Sequence, residues 1–479
     1  MVRSASAHVL GFALAFVVAA CNGAPPASGP SPLARRNVMV VDEGIDLTSP
    51  DLGTKVVAAF TAVCTSAPTD DAGQANADDA GADAGADGGE PSFDELKRNY
   101  IARLGVADQS CELQPGIGPK TDPLASIESF RGRWNGMIRN QKWGSQVFTE
   151  AEWNQITSVM DPILKPFPFH GTSTSSTAAH DNPDVRLVLI ERHLQDPTTK
   201  TADYVCTTQA ELDRAVALLT DPDVRDAYLH APQSHYTQQF LDVVHQFDVG
   251  LVNLSYGPGT RAELETLQQM KGCEPVDLRP YFTVLHDLRV AGIAIEDPKP
   301  YLVVQSAGNA SQTLDSGADS TACTPEDPFL LTVGSWSLVN TPSQFSNVGA
   351  CVNVFAPGEE VIAPYAGDWL LPDEGTSFAA PLITRFLSLT AATPFDPMRA
   401  RADLLAKLGT TGGLSFSAVP RDFFYAPDGP AATVQALALA DARLQTRSAR
   451  PSALRALSHV DFEPVLAPLR ALRAAAVRQ

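Results

Sequence analysis

The chain has 479 residues, enough for a large hydrophobic core, and its 44% hydrophobic and 19% charged residues are ordinary for a soluble globular protein. The formal net charge of −20 argues against nucleic acid as a main partner, because binding to phosphates requires clustered Lys and Arg side chains.

Residues 1–20 have the pattern of a signal peptide. A positively charged start precedes the apolar run 9–20, which is too short to span a bilayer. The run ends in Ala19-Ala20-Cys21, which is similar to a bacterial lipobox. We therefore expect a lipid on Cys21, a tether over residues 21–36 and a cell-envelope location. Asn22, in place of the Asp that often retains lipoproteins in the inner membrane, favours the outer membrane or the cell surface. The alternative is an ordinary signal peptide followed by a chance cysteine.

Five short apolar runs predict buried strands. They lie at residues 38–41, 187–190, 251–254, 302–304 and 330–333, and they are continuous rather than alternating, as in strands covered on both faces. Helical periodicity lies between them, at 210–219, 236–247, 262–270 and 280–290. This alternation predicts an α/β fold in which a mainly parallel sheet is flanked by helices.

Residues 65–165 interrupt this pattern and are interpreted as an insertion. Residues 66–90 are repeats of Ala, Asp and Gly that cannot bury enough apolar surface to order themselves, so we expect a solvated loop rather than a calcium site. Helical patterning returns after residue 91, with Thr149 as a predicted helix cap.

Residues 431–479 are predicted to form a helical extension. Arg residues there alternate with apolar residues at helical spacing, as in 454–457 and 469–472. An amphipathic helix packed on the body of the protein is the preferred interpretation, and a helix lying on a membrane surface is the alternative.

Seven cysteines are present, and setting Cys21 aside leaves six, an even number that suits disulfides in an oxidising compartment. Pairing of nearest neighbours predicts Cys64–Cys111, Cys206–Cys273 and Cys323–Cys351, one of about 15 connectivities open to six cysteines. Buried free thiols are the alternative.

Three motifs contain an Asp, a His and a Ser, and the Asp directly follows the apolar run 38–41. They are Val40-Val41-Asp42-Glu43-Gly44, Phe169-His170-Gly171-Thr172-Ser173 and Gly375-Thr376-Ser377-Phe378-Ala379-Ala380-Pro381. These residue types form a nucleophile, a base and a group that orients the base. His180 and His193 are the other candidates for the base, but neither is followed by Gly-Thr.

In order and sequence these motifs resemble those of the subtilisin-like serine peptidases. The resemblance covers residues 37–64 and 166–430 and implies a three-layer α/β peptidase domain over 37–430, interrupted by the 65–165 insertion. It implies that Ser377 attacks the peptide bond, that His170 takes its proton and that Asp42 holds the imidazole. It further implies polypeptide substrates and no required cofactor.

Two further segments extend the resemblance. Gln305-Ser306-Ala307-Gly308-Asn309 matches the family's oxyanion-hole motif, with Asn309 as the side-chain donor. Asn253-Leu254-Ser255-Tyr256-Gly257 matches the strand that pairs with the substrate backbone. By this resemblance Ser255, Tyr256 and Gly257 wall the primary specificity pocket on one side, and Ala307 and Gly308 on the other.

Some features depart from the family. Glu43 and Ser173 stand where Ser or Thr and a second His are usual, and the stretch from Cys21 to Val41 is too short for the prodomain of many relatives. These departures leave two alternative hypotheses open. One is a weakly active or inactive protein that binds peptides or protein partners at the cell envelope, and the other is an unrelated lipoprotein with chance motifs. Structural calcium is known in some relatives, but only Asp51 falls near a ligand position.

Overall fold

The computed structural model describes residues 37–64, 91–104, 111–140, 147–164, 168–192, 205–231, 234–295, 298–325, 327–337, 341–391, 394–407, 409–411, 414–416 and 460–476. The predicted signal peptide, Cys21, the tether, the 66–90 loop, His193 and the 454–457 helical pattern lie outside the described residues.

An eight-stranded sheet forms the centre of the molecule, with the strand order β3-β2-β4-β1-β5-β7-β8-β9. Its strands are β1 (Asn37–Asp42), β2 (Val56–Cys64), β3 (Cys111–Pro115), β4 (Arg186–Arg192), β5 (Val249–Leu254), β7 (Leu302–Ser306), β8 (Leu330–Trp336) and β9 (Val354–Pro357). Neighbouring strands are parallel except at the edge, where β3 runs antiparallel to β2. The predicted mainly parallel sheet is therefore confirmed.

Shorter strands lie outside this sheet. They are β6 (Gly257–Pro258), β10 (Val361–Pro364), β11 (Leu370–Asp373), β12 (Gly409–Thr411), β13 (Leu414–Phe416) and β14 (Val460–Asp461). β10 and β11 form one antiparallel pair and β12 and β13 another, whereas β14 runs parallel to β6.

Twelve α-helices occur among the described residues. They are α1 (Phe93–Arg103), α2 (Arg131–Asn140), α3 (Glu150–Leu164), α4 (His170–Ala179), α5 (Gln209–Thr220), α6 (Pro222–Leu229), α7 (His235–Gln246), α8 (Arg261–Met270), α9 (Arg279–Ile295), α10 (Thr376–Thr390), α11 (Pro397–Lys407) and α12 (Glu463–Ala476). In the part of the chain that the structure describes, none of them is long and apolar enough to cross a bilayer.

The two faces of the sheet bury alternate residues of the same strands. On one face Val38 and Val40 of β1 pack with α4, α10 and α11. On the other face Met39 and Val41 pack with α7. Both faces are covered, which is why the strands read as continuous apolar runs rather than as alternating patterns. The layers place α4 and α10 against each other on one face.

Strands β2, β3 and β9 complete the sheet beyond the five predicted strands. Strand β2 lies next to the edge of the sheet and is only partly buried, so its apolar pattern is weak. Strand β3 comes from the predicted insertion, as do α1, α2 and α3. A single-sequence pattern could not assign β3 to the sheet, because its pairing with β2 joins segments far apart along the chain.

The described parts of residues 91–164 pack in three places rather than as a separate unit. Strand β3 extends the sheet, and α1 packs against α12 and α6. Trp134 and Met160, from α2 and α3, share a core with Phe169, which precedes α4, and with Trp369 and other residues of the β10–β11 hairpin. This core supports the segment that leads into His170.

Two predicted disulfides are confirmed. Cys206–Cys273 and Cys323–Cys351 are bonded. Cys111 is also disulfide-bonded, and it faces Cys64 in the register of β2 and β3, as the third predicted pair requires. The predicted cap at Thr149 is present, since its Oγ1 accepts the Glu152 N–H at 3.3 Å. The preferred interpretation of the C-terminal helix also agrees with α12, whose Leu469 and Leu472 are buried in the core.

Candidate active site

Asp42 is the last residue of β1 and lies at the carboxyl edge of the sheet, where α/β proteins form their sites. Its Oδ1 accepts the Glu43 N–H at 2.8 Å and lies 2.7 Å from Nδ1 of His170. Its Oδ2 accepts a hydrogen bond from Thr174 Oγ1 at 2.7 Å. Both carboxylate oxygens therefore have partners that fix the orientation of this buried side chain.

The turn after Asp42 depends on glycines. Gly44 has a φ of +67°, and a Cβ there would meet the carbonyl oxygen of Pro168 at 1.8 Å. A Cβ on Gly171 would meet the carbonyl oxygen of Glu43 at 2.7 Å. The turn and the start of α4 can approach this closely only because neither glycine carries a side chain. This packing brings His170 to Asp42, although the two are 128 residues apart.

His170 is the first residue of α4, a helix in which every residue is buried. With its proton on Nδ1 facing Asp42, the imidazole leaves the lone pair of Nε2 to act as a base. Burial by itself would lower the pKa of His170, but the charge and hydrogen bond of Asp42 raise it above its usual value. Burial would raise the pKa of Asp42, but the charge and hydrogen bond of His170, with those from Thr174 and Glu43, lower it.

Ser377 is the second residue of α10 and is buried. The preceding Gly375 has a φ of +151°, which favours glycine. The ring of Phe378, the next residue, packs edge-on against the His170 ring with the centroids 5.7 Å apart. Thus the start of α10 and the start of α4 lie side by side, and the helix N-terminus favours negative charge at this point.

Asn309 is tied to the residue that precedes Ser377. Its Oδ1 accepts hydrogen bonds from N and Oγ1 of Thr376, both at 2.9 Å. The Gly308 N–H in turn donates to Thr376 Oγ1 at 3.1 Å. Because the Oδ1 atom is held in this way, the orientation of the Asn309 amide is fixed, with its Nδ2 as the donating group.

The predicted substrate strand continues β5. Ser255 Oγ accepts a hydrogen bond from Asn253 Nδ2 at 2.8 Å, and Asn253 Oδ1 accepts one from Thr384 of α10 at 2.9 Å. A Cβ on Gly257 would lie 3.0 Å from Cα of Gly308. The two predicted walls therefore meet backbone to backbone at these glycines.

Sequence reasoning missed the role of Thr174, which lies four residues after His170 on the same face of α4. It also missed Asn347, whose Nδ2 donates to the Ala307 carbonyl at 2.8 Å and whose Oδ1 accepts the Ala310 and Gln312 N–H groups. Helical spacing places Thr174 on the His170 face of α4, but it does not show the contact with Asp42, which lies 132 residues away along the chain. The contacts of Asn347 likewise cross between distant loops.

Glu263 of α8 lies behind Gly308 and was also not predicted. Its carboxylate is buried, and its Oε2 accepts the N–H and Oγ1 of Thr260 at 2.9 and 2.8 Å. Its Oε1 has no hydrogen-bond partner and lies 3.6 Å from where a Cβ of Gly308 would stand. Burial, opposed by the Thr260 hydrogen bonds, raises the pKa of Glu263 to about 7.

His180, the alternative candidate for the base, lies just beyond the far end of α4. Its Nε2 is 3.2 Å from Asp181 and its Nδ1 is 4.0 Å from Asp51. Ser173, which stands at a variant position, donates to the Pro364 carbonyl at 2.8 Å. Across the described ranges, no group of three or more His, Cys, Asp or Glu side chains is placed to hold a metal ion.

Residues 36–400 match the sequence model of the peptidase S8 family, described as the subtilase family. The subtilisin-like serine protease AsES of Sarocladium strictum is 29% identical over 126 residues, which cover 26% of this chain and 31% of that protein. Alkaline protease 1 of Emericella nidulans is 32% identical over 127 residues, covering 26% and 30%. The chain thus spans less than a third of the length of these curated relatives.

Solved structures also align with this chain. A cold-adapted subtilisin-like serine proteinase aligns with a TM-score of 0.35 and 14% identity, over 79% of this chain and 87% of its own. The PatG macrocyclase domain aligns with a TM-score of 0.37 and 15% identity, over 79% and 83%.

Proposed function

Since the chain belongs to the peptidase S8 (subtilase) family, we propose that it is a serine endopeptidase that cleaves polypeptides through an acyl-enzyme on Ser377. The observation that carries the proposal is the 2.7 Å contact between Asp42 Oδ1 and His170 Nδ1 beside the start of α10, the helix that bears Ser377. A nucleophile, a base and a group that orients the base are what nucleophilic acyl transfer requires.

In the proposed first step, Ser377 Oγ attacks the carbonyl carbon of the peptide bond while its proton moves to Nε2 of His170. Asp42 stabilises the imidazolium that forms. The negative charge that develops on the carbonyl oxygen accepts a hydrogen bond from Asn309 Nδ2. The carbon–nitrogen bond then breaks, and His170 passes its proton to the leaving amine.

In the second step, a water molecule gives its proton to His170 and attacks the ester carbon. The carbon–Oγ bond breaks, the proton returns to Ser377, and the acid product leaves. Apart from this water molecule, all the groups in both steps are side chains of this chain or substrate atoms, so the proposed reaction requires no cofactor.

Labelling with a fluorophosphonate tests this proposal, because the reagent reacts with a serine that is activated by a neighbouring base. We expect the chain expressed from residue 22 to be labelled, and Ser377→Ala and His170→Ala to lose the label. Ser176→Ala is the control, since Ser176 is also buried in α4 and its Oγ has no hydrogen-bond partner. Failure of the folded protein to label would overturn the peptidase proposal and favour peptide binding without catalysis.

The proposal includes attachment to the cell envelope through lipid on Cys21. It is supported by the apolar run and by the small residues that precede this cysteine. Metabolic labelling with an alkyne-bearing fatty acid should mark the full chain and not Cys21→Ser. A full chain that is secreted without lipid would contradict this part of the proposal and leave the peptidase part unaffected.

A further inference from the structure

The C-terminal segment of the described chain pairs with the predicted substrate strand. β14 runs parallel to β6, with Val460 opposite Gly257 and Asp461 opposite Pro258. The Gly259 N–H donates to the Asp461 carbonyl at 3.0 Å. The edge of the backbone from Gly257 onward is therefore occupied by the protein's own chain.

The position of β14 follows from its contacts on both sides. Nη1 of Arg192, the last residue of β4, lies 3.0 Å from Asp461 Oδ2, and both side chains are largely buried. The Arg192 guanidinium also lies over the Tyr256 ring, 5.6 Å from its centroid. In the sheet β1 lies between β4 and β5, and β1 ends at Asp42. β14 thus lies between the ends of β4 and β6, beyond the carboxyl end of β1.

The segment that carries β14 is firmly built into the fold. Phe462 is buried, and α12 packs its apolar side chains against a core formed with α1, α5 and α9. Tyr281 Oη donates to the Val465 carbonyl at 2.7 Å, and Arg473 Nε lies 3.0 Å from Glu211 Oε1. Displacing β14 would leave the buried Arg192 without Asp461, so β14 is a fixed wall and not a lid.

We propose that β14 closes the substrate groove at Gly257, so that the enzyme recognises only the residues next to the cleaved bond. This inference rests on the proposed function. A peptide paired with Ser255 would meet Val460 and Asp461 if its backbone continued along Gly257 and Pro258. An open strand edge offers a bound peptide further backbone hydrogen bonds, whereas this edge is already paired with β14 at Gly257 and Pro258.

A series of peptides with a C-terminal fluorogenic amide tests the proposal on the unmodified chain. The peptides carry one, two or four residues N-terminal to the cleaved bond, with the same residue next to it. We expect kcat/KM to rise little between the two-residue and four-residue peptides. A rise of more than about tenfold, the effect of one or two backbone hydrogen bonds, would overturn the proposal.

Gly259→Val should displace the wall without removing the core of α12. A Cβ on Gly259 would lie 2.9 Å from Phe462 Cδ1 and 3.0 Å from the Asp461 carbonyl oxygen. Gly118→Val is the matched control, because nothing lies within 4 Å of a Cβ there. We expect Gly259→Val to lower KM for the four-residue peptide, with little change for the two-residue peptide, and the control to leave both unchanged.

The outcomes separate the wall from the peptidase proposal. A folded Gly259→Val that keeps the length dependence of the parent chain overturns the role of β14. If Gly259→Val does not fold, the peptide series on the parent chain still decides. Fluorophosphonate labelling does not depend on peptide length. Failure of the parent chain to label would therefore overturn the proposed function itself.

Discussion

His170 Nδ1 lies 2.7 Å from Asp42 Oδ1, and both side chains are buried. A buried imidazole with a carboxylate at Nδ1 is held in one tautomer, in which Nε2 is the proton-accepting nitrogen. The contact also sets the pH range of the proposed reaction. Because Asp42 stabilises the protonated ring, the pKa of His170 lies above its usual value of 6.5 despite the opposing effect of burial.

The first prediction concerns the pH profile. Since the proposed base is neutral His170, kcat/KM should rise with pH through a pKa above 6.5. Asp42→Asn removes the charge that raises this pKa, so the acid limb should move to lower pH while kcat falls roughly 10⁴-fold. Steady-state rates from pH 5 to 9 measure both effects. An acid limb that stays in place in Asp42→Asn would show that Asp42 does not act on His170.

Thr174→Val removes the hydrogen bond to Asp42 Oδ2 while keeping the shape of the side chain. A hydrogen bond to a charged group contributes about 1.5–3 kcal/mol, so we expect a lower melting temperature and a smaller loss of kcat/KM than in Asp42→Asn. Thr177→Val is the control, because Thr177 Oγ1 is also buried in α4 but donates to the Ser173 carbonyl. Equal losses of kcat/KM in the two variants would refute a positioning role for Thr174.

Asn309→Ala should lower kcat by roughly 10²–10³-fold with little change in KM, the loss known for this type of donor in subtilisin. The physical reason is that the donor binds the charge that develops in the transition state and not the ground-state carbonyl. The matched control is Asn353→Ala, since Asn353 accepts the Thr332 N–H at 2.8 Å, in β8. Steady-state kinetics would contradict the prediction if KM rose and kcat stayed constant.

Glu263 should make the folded state less stable as the pH rises. Burial raises its pKa from 4.5 to about 7, so the folded protein keeps this proton at pH values where the unfolded chain has lost it. The free energy of unfolding therefore decreases between about pH 4.5 and pH 7. Glu263→Gln should escape this loss and gain stability relative to the parent chain on going from pH 5 to pH 8, by on the order of 3 kcal/mol. Urea unfolding at the two pH values measures the difference in unfolding free energy between Glu263→Gln and the parent chain. If this difference is the same at pH 5 and pH 8, the prediction is wrong.

Removal of divalent cations should leave the reaction intact. The proposed acyl transfer uses only Ser377, His170, Asp42 and Asn309, so dialysis against EDTA should not change kcat/KM. The melting temperature measured in parallel tests the separate question of structural calcium. A loss of activity that calcium restores would contradict this prediction.

The fold could be predicted from local patterns because its strands are buried on both faces. Five of the eight strands of the sheet have short continuous apolar runs, and the helices between them have ordinary helical periodicity. Strand β3 was not predictable, since a five-residue edge strand with mostly exposed side chains has no distinctive pattern.

The sequence by itself determined which residues carry the proposed chemistry, because Asp42, His170, Asn309 and Ser377 each lie within a short motif whose neighbours shape the local turn. Their catalytic roles stay predictions until the variants are measured. Only the tertiary structure decided which contacts support these residues. The hydrogen bond from Thr174 to Asp42, the packing of Glu263 behind Gly308 and the pairing of β14 with Gly257 each join segments that are distant along the chain. Local periodicity contains no information about such pairs, because packing of the whole core is what brings them together.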